Sequence, residues 1–406
     1  MASQNRREFL AQLSTILGAG GVAYLGGAAL LKSGTAHAAG GNLDVCFDGK
    51  CGHKIYGETL PHDKIAKYWE PIGGDKIHCA LCPYHCILAD GERCRCQAKE
   101  NHGGQLYDMV YGYVATMHLD YAEKLPIYHC YPGMLTLALG TAGCGLHCKY
   151  CQNWQLSQAP PEKTENYRLM PDDVVALAKE NNAQAIALAY TEPLTFFEYS
   201  YDLAKAARKA GLKVFMGTGG FACEEPVRDI APYVDAVAFG LKGFCDEFYD
   251  EIVGPGVKLN DILKSLEAFK AGGTHIEVVN LIIPTKNDAA DQVRPLAEYV
   301  CNTLGTGTPL HFLKFFPHYQ LKQLPPTGQR SLEQAARIGR EAGLSHVYIG
   351  NLPGHSANNT WCPHCGALAI QRIGFRVLAV NIDKEGHCTS CQGMVPGDFS
   401  VSATTN

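Results

Sequence analysis

The 406-residue chain carries no basic excess: 35 Lys and Arg face 40 Asp and Glu, for a net charge of -5. That balance excludes general nucleic-acid binding by charge. Long apolar runs are also missing. The candidate stretch, Ile16 to Leu31, is 16 residues, short of the roughly 20 that a spanning helix needs. Tandem repeats are absent. The rest is ordinary: 46% hydrophobic and 18% charged, enough for one large domain with small modules.

What the chain has in quantity is cysteine, 18 residues, mostly in close pairs that point to metal ligation more than to a disulfide framework. Ahead of them, Asn5-Arg6-Arg7-Glu8-Phe9-Leu10 matches a twin-arginine pattern. Ala36-His37-Ala38 follows as a small-x-small cleavage site. Residues 1–38 are therefore expected to direct export through the twin-arginine machinery. The destination would be the periplasm or the outer face of the inner membrane, with the cytoplasm as the alternative. The bland reading is a chance Arg pair before an anchor.

Four regions are expected: the signal at 1–38, a Cys-rich region at 39–132, an α/β domain at 133–351 and a Cys-rich module at 352–406. In the α/β domain, β-rich runs at Leu135–Leu139, Ala185–Tyr190, Lys213–Met216, Ala236–Leu241, Ile276–Ile283 and His311–Phe316 alternate with helical runs. The helical runs include Pro171–Asn181, Phe196–Ala210, Leu259–Ala271 and Asp288–Thr303. Six βα units predict parallel strands curling into a partial (βα)6 barrel. Its chemistry would lie at the carboxyl ends of the strands.

Cys144, Cys148 and Cys151 follow the first of these strands, at that end. C-x3-C-x2-C sets three thiolates on one short loop. Cubane iron–sulfur clusters normally take four Cys, so three leave one iron open to a substrate or cosubstrate. A zinc knuckle, or a disulfide with a spare thiol, is the competing reading. Each later strand end offers further contacts. Glu192 can accept hydrogen bonds from an ammonium, or can simply favour a helix start. Gly219-Gly220 permits close backbone approach or makes a tight turn. Lys242 can pair with a carboxylate or lie solvated. Asn280 is a candidate contact, whereas Asn287-Asp288 reads as a helix N-cap. His311 is a substrate contact or a satisfied interior histidine, and Tyr150 is a stacking surface for adenine.

Two further cysteine groups stand apart. Cys79, Cys82, Cys86 and Cys96, with Cys94 as a fifth thiol, suit zinc or a second iron–sulfur centre; disulfides are the bland reading. Cys362-Pro-His-Cys365 and Cys388-Thr-Ser-Cys391 form two C-x2-C knuckles, a zinc-ribbon pattern. Zinc there would hold a tail without a core of its own. Cys46 and Cys51 are a disulfide or a further site. Cys130, Cys223, Cys245 and Cys301 read as ordinary buried thiols.

Together these features resemble the radical S-adenosylmethionine (SAM) enzymes of the AmmeMemoRadiSam system, relatives of pyruvate formate-lyase-activating enzymes. Further carrying residues are Glu100-Asn101-His102-Gly103-Gly104, Gly140 to Cys144, Cys148 to Trp154, Tyr190-Thr-Glu-Pro193, Pro309-Leu-His-Phe312 and Tyr348-Ile-Gly-Asn351. The resemblance implies a [4Fe-4S] cluster on Cys144, Cys148 and Cys151, SAM chelating the open iron, and Glu192 in the SAM site. It implies a one-electron donor, a protein or other substrate, and Memo-like and AMMECR1-like partners. The chain departs from the family pattern where Gly219-Gly220 replaces Asn-Gly, and where Gly240 replaces the Asp of Asp-Leu-Lys. The export signal is a third departure, because SAM and low-potential reductants are cytoplasmic supplies. An exported iron–sulfur and zinc electron-transfer protein that has lost SAM chemistry is the alternative.

Overall fold

A computed structural model describes residues 60–400 and short strand pieces at 46–47, 50–51 and 54–55, with Gly57. The export signal and its cleavage site lie outside the described residues. Among the described residues no helix is long and apolar enough to cross a membrane.

A ten-stranded sheet organises the molecule. Its strands are β1 (Lys54–Ile55), β2 (Tyr113–Tyr121), β3 (Leu135–Thr141), β4 (Asn166–Arg168), β5 (Ala185–Leu188), β6 (Lys213–Thr218), β7 (Ala236–Gly240), β8 (His275–Ile282), β9 (Leu310–Lys314) and β10 (Val347–Gly350). The spatial order is β10-β9-β8-β7-β6-β5-β3-β2-β4-β1. The pairs from β3 through β5 to β10 are parallel, and those at β2, β4 and β1 are antiparallel. There are thus seven parallel strands where six βα units were expected, and the order is open at both edges. The extra unit is β10 with the preceding helix.

Six helices of seven or more residues connect the strands: α1 (Pro171–Glu180), α2 (Phe197–Lys209), α3 (Glu224–Ile230), α4 (Leu259–Ala271), α5 (Ala290–Tyr299) and α6 (Gln329–Glu341). α6 buries Leu332, Ala335, Ala336, Ile338 and Gly339. Three of these five are Ala or Gly. The Asn287-Asp288 pair is not a helix cap, because α5 is capped by Ala289. Asn287 Oδ1 instead accepts from Ile283 N at 2.7 Å, and Asp288 Oδ1 from Thr285 N at 2.8 Å, folding the turn after β8.

Strand side chains alternate between faces, and here the two faces differ sharply. Ile186, Leu188, Val214, Met216, Val237 and Phe239 join the large core shared with the helices. The other face presents Ala138, Ala185, Ala187, Ala236 and Ala238 with Phe215. Ile127, Cys130, Tyr131 and Met134, from the segment between β2 and β3, pack on it.

The Cys-rich region before β2 is small antiparallel sheet. Trp69–Gly73, Lys76–Cys79 and Ile87–Leu88 form one piece, and Lys99–His102 with Gln105–Asp108 another. The last module has strands Thr360–Trp361, Leu368–Ile373 and Arg376–Val380. Contrary to expectation it has a core of its own, with Ala369, Ile370, Ile382, Val395 and Phe399 around Cys362 and Cys388.

This module is fastened to the segment that covers the small-residue face. Asp398 N donates to His129 O at 2.7 Å, and the Tyr131 hydroxyl to Asp398 Oδ2 at 2.7 Å. Arg372, fully buried, donates to Tyr128 O and the Thr360 hydroxyl, each at 2.8 Å, and lies 3.5 Å from buried Glu123. Burial pushes the Glu123 carboxyl up to about 7, against the pull of Arg372.

Candidate metal and cofactor sites

The loop after β3 turns on Gly143. Its φ is +80°, and a Cβ there would lie 2.5 Å from Cys96 O, so backbone conformation and close packing both select glycine. Cys144 N donates to that same Cys96 carbonyl at 3.1 Å. Cys144 and Cys148 are buried and Cys151 is half-buried. Leu146 N lies 3.3 Å from Cys144 Sγ, and Ser157 Oγ 3.3 Å from Cys151 Sγ. Burial, then the neighbouring Glu192, holds the Cys144 thiol well above its ordinary range. Burial raises Cys148 to about 11, opposed by Lys242.

Glu192 stands at the end of β5, fully buried. It accepts from the Thr218 hydroxyl, from Gly219 N at 2.7 Å and from Leu194 N at 3.3 Å. Helix α2 begins only at Phe197, so Glu192 does not start it. Burial raises its carboxyl, while these donors and Lys242 oppose the rise. Gly219 is held to its size by three neighbours: a Cβ would fall 2.6 Å from Leu146 Cδ1, 3.0 Å from Lys242 Cε and 3.3 Å from Glu192 Oε2. Lys242 Nζ would lie 3.4 Å from a Cβ on Gly240 and sits 6.0 Å from the Tyr150 ring centre. Burial, then the charge of Cys148, holds the Tyr150 hydroxyl well above its ordinary range. Cys144, Cys148, Cys151, Tyr150, Glu192 and Lys242 therefore meet in one place.

Asn280 supports this place without facing it. Its amide donates to Leu241 O at 2.8 Å and Lys242 O at 3.2 Å, fixing the turn that carries Lys242. His311 is elsewhere. It is a satisfied histidine, 2.7 Å from buried Glu277 Oε2 and stacked on Tyr348. Glu277 also accepts from Tyr128 N and His129 N, so this cluster belongs to the segment before β3, at the amino ends of the strands.

The sequence offered Asn153, Trp154, Tyr190 and Thr191 only as parts of motifs, without the role they have in locking the cysteine loop. The Asn153 amide donates to Tyr190 O at 2.8 Å, and Tyr190 has a strained φ of +67°. Thr195 Oγ1 accepts from Gly145 N at 2.9 Å, and Thr191 donates to Thr141 O at 3.1 Å. His147 N and Lys149 N donate to Val253 O and Ile252 O. Trp154 stacks on Tyr319, with ring centres 5.1 Å apart. Only the Asn and Thr residues flanking the motifs hint at this in sequence.

The cysteine groups differ in spacing. A tetrahedral zinc with Zn–S near 2.3 Å needs sulfurs about 3.8 Å apart. Among the described residues, one group of three or more Cys, His, Asp or Glu brings all its ligand atoms within 4.8 Å: Cys362, Cys365, Cys388 and Cys391. There Cys362 and Cys391 are 3.6 Å apart, and Cys365 and Cys388 3.9 Å. The donor set suits one tetrahedral ion. Cys144, Cys148 and Cys151 do not converge so closely. Sulfurs binding separate irons of a cluster lie farther apart than sulfurs on one ion, so the wider loop fits a cluster. Cys79, Cys82, Cys86, Cys94 and Cys96 line one pocket, and Cys46 and Cys51 have no described side chains.

Residues 139–300 match the Radical SAM superfamily model. An uncharacterized protein of Methanocaldococcus jannaschii, MJ0808, is 38% identical over 327 residues, covering 80% of this chain and 97% of that protein. A pyruvate formate-lyase-activating enzyme of Clostridium pasteurianum is 25% identical over 180 residues, 42% of this chain and 71% of that enzyme. A solved radical SAM methyltransferase from Sphaerobacter thermophilus superposes with a TM-score of 0.44 at 16% identity, over 54% of this chain and 68% of that one. The family model covers the cysteine loop, Glu192 and Lys242, and the archaeal relative is alike over nearly its whole length. The chain belongs to the radical SAM superfamily.

Proposed function

We propose that the chain is an enzyme that cleaves SAM reductively and takes a hydrogen atom from a polypeptide or another substrate. The observation that carries this is the meeting of Cys144, Cys148, Cys151 and buried Glu192 at the carboxyl ends of β3 and β5. Cys144, Cys148 and Cys151 would hold the [4Fe-4S] cluster. When bound, cluster and SAM supply one-electron cleavage of the sulfonium.

The chain's own residues bind and position. Glu192 is preorganised by Thr218 and Gly219 N to accept from the SAM ammonium, and Lys242 stands where a carboxylate would settle. Tyr150, its ring centre 6.0 Å from Lys242 Nζ, would be the stacking surface for adenine. Zinc would fill the Cys362 group. An activating-enzyme-type reaction on a backbone glycine is one form of the activity, with Memo-like or AMMECR1-like proteins as partners and export by the twin-arginine route. The second reading, electron transfer without SAM chemistry, draws on Gly240. Among the described residues Lys242 makes no ion pair, and an Asp at 240 would have supplied one.

The test is anaerobic reconstitution, reduction with SAM present and measurement of 5′-deoxyadenosine. Formation that disappears in Cys148→Ala supports the enzyme. An intact cluster that neither binds nor cleaves SAM supports electron transfer.

A further inference from the structure

The Cys79 group lies against the loop just described. Cys79, Cys94 and Cys96 are buried, and Cys82 and Cys86 half-buried. All five line one pocket. No three of the five have their sulfurs all within 4.8 Å of one another. The same structure draws four sulfurs together in the Cys362 group, so the wider spread is a property of this site. Leu81, Tyr84, Leu194, Thr195 and Phe221, with buried Lys99 as a cation, complete the pocket wall.

The two cysteine groups touch through the backbone. Cys96 carries a thiol of one group, and its carbonyl accepts from Cys144 N at 3.1 Å. Phe221 walls the pocket and would lie 2.9 Å from a Cβ on Gly145 in the other loop. Tyr84, stacked edge-on to Phe221 at 4.7 Å, is close enough to feel charge on Cys82, Cys144 and Cys148. The hydrogen bond from Cys144 to Cys96 joins the groups directly, and Phe221 and Thr195 of the pocket wall both meet Gly145.

We infer that four of the five thiols of Cys79, Cys82, Cys86, Cys94 and Cys96 hold a second iron–sulfur cluster, which passes electrons to the Cys144 site. The relay rests on the radical SAM reading of Cys144, Cys148 and Cys151; the second cluster does not. Each transfer moves one electron from the reduced second cluster to the oxidised first site. The second cluster returns to its oxidised state and is reduced again by an external low-potential one-electron carrier. No bond is made or broken and no proton moves.

The experiment compares three full-length proteins reconstituted anaerobically with ferrous iron and sulfide. They are the wild type, Cys144→Ala/Cys148→Ala/Cys151→Ala, and Cys79→Ser/Cys94→Ser. The triple variant leaves the second group untouched and decides the matter. It should keep about four irons and four sulfides per chain, roughly half the wild-type content, and show a paramagnetic signal on dithionite reduction. Zinc in place of iron, or loss of all iron, overturns the second cluster, as do disulfides among the five cysteines. Cys79→Ser/Cys94→Ser should lose the other half. If it misfolds, Cys94→Ala replaces it, with zinc at the Cys362 group as the folding control. For the relay, the fully reduced wild type should show spin-coupled broadening absent from both variants. Signals that merely add overturn it. Equal iron in the wild type and triple variant would sink the reading of Cys144 while the second cluster stands.

Discussion

The Cys362 group and the Cys144 loop use the same ligand atom and hold it differently. Four sulfurs of the first lie within 4.8 Å, and Cys365 and Cys391 are exposed. The three of the second are more widely spaced, under helices and neighbouring loops. Fine spacing suits a single ion. Wider spacing at strand ends, beside a buried carboxylate, gives a place for chemistry. The lesson is that sulfur-to-sulfur distance, more than cysteine number, separates the two roles.

The comparison is broken most directly at Cys148. Cys148→Ala should abolish 5′-deoxyadenosine formation, by more than about a hundredfold, since one ligand of three is lost. Zinc at the Cys362 group should stay unchanged by metal analysis. The converse is Cys362→Ser, which should lose the zinc and lower the melting temperature while iron at the Cys144 loop persists. Loss of both metals together in either variant would show that the sites are not independent.

A third test concerns how the tail is held. Arg372→Met leaves Glu123 buried without its cation, which should cost about 3–5 kcal/mol in denaturant unfolding. Glu123 also sets a pH dependence. Its folded value, about 7, lies above its ordinary 4.5, so the stability it contributes is complete below pH 4.5 and is lost as pH rises to about 7. Glu123→Gln should remove that loss, raising stability at pH 7 relative to pH 4.5 by up to roughly 3 kcal/mol compared with wild type. His346 works in the opposite sense. Burial lowers it to about 4, so its contribution is lost as pH falls from 6.5 towards 4. An unchanged slope in Glu123→Gln would refute this assignment.

The smallest effect is expected at Asn153→Ala, which cuts one hydrogen bond to Tyr190 O. About 1 kcal/mol corresponds to a fall in 5′-deoxyadenosine rate of less than tenfold, with iron retained. A complete loss of iron would make Asn153 part of the ligand shell's scaffold.

The parallel strands were legible because their apolar runs are short and alternate with helical runs, and α4 matches the predicted Leu259–Ala271. The cysteine loop and Glu192 were legible because chemistry demands particular residues at fixed spacing. β2 and β10 escaped notice. β2 alternates irregularly and carries His118 and Asp120, and β10 was legible only as a motif. His311 could not be placed from sequence. A strand position gives a face but not a depth, and His311 finds its partner Glu277 at the end of the sheet away from the cysteines.

The bond between Asp398 and His129 joins residues 269 positions apart in the chain, and the neighbouring bonds His129 to Pro396 and Tyr131 to Asp398 each span 267. On the ribosome, the 122–134 segment emerges long before the residues that pin it. Its docking on the small-residue face can begin early but becomes final only when residues near 398 have been made. Contacts this distant form late because closing so long a loop is entropically unfavourable. The molecule is therefore finished at the end opposite its chemistry, and any stall in synthesis before residue 372 leaves Glu123 without its cation and the inner face unsealed.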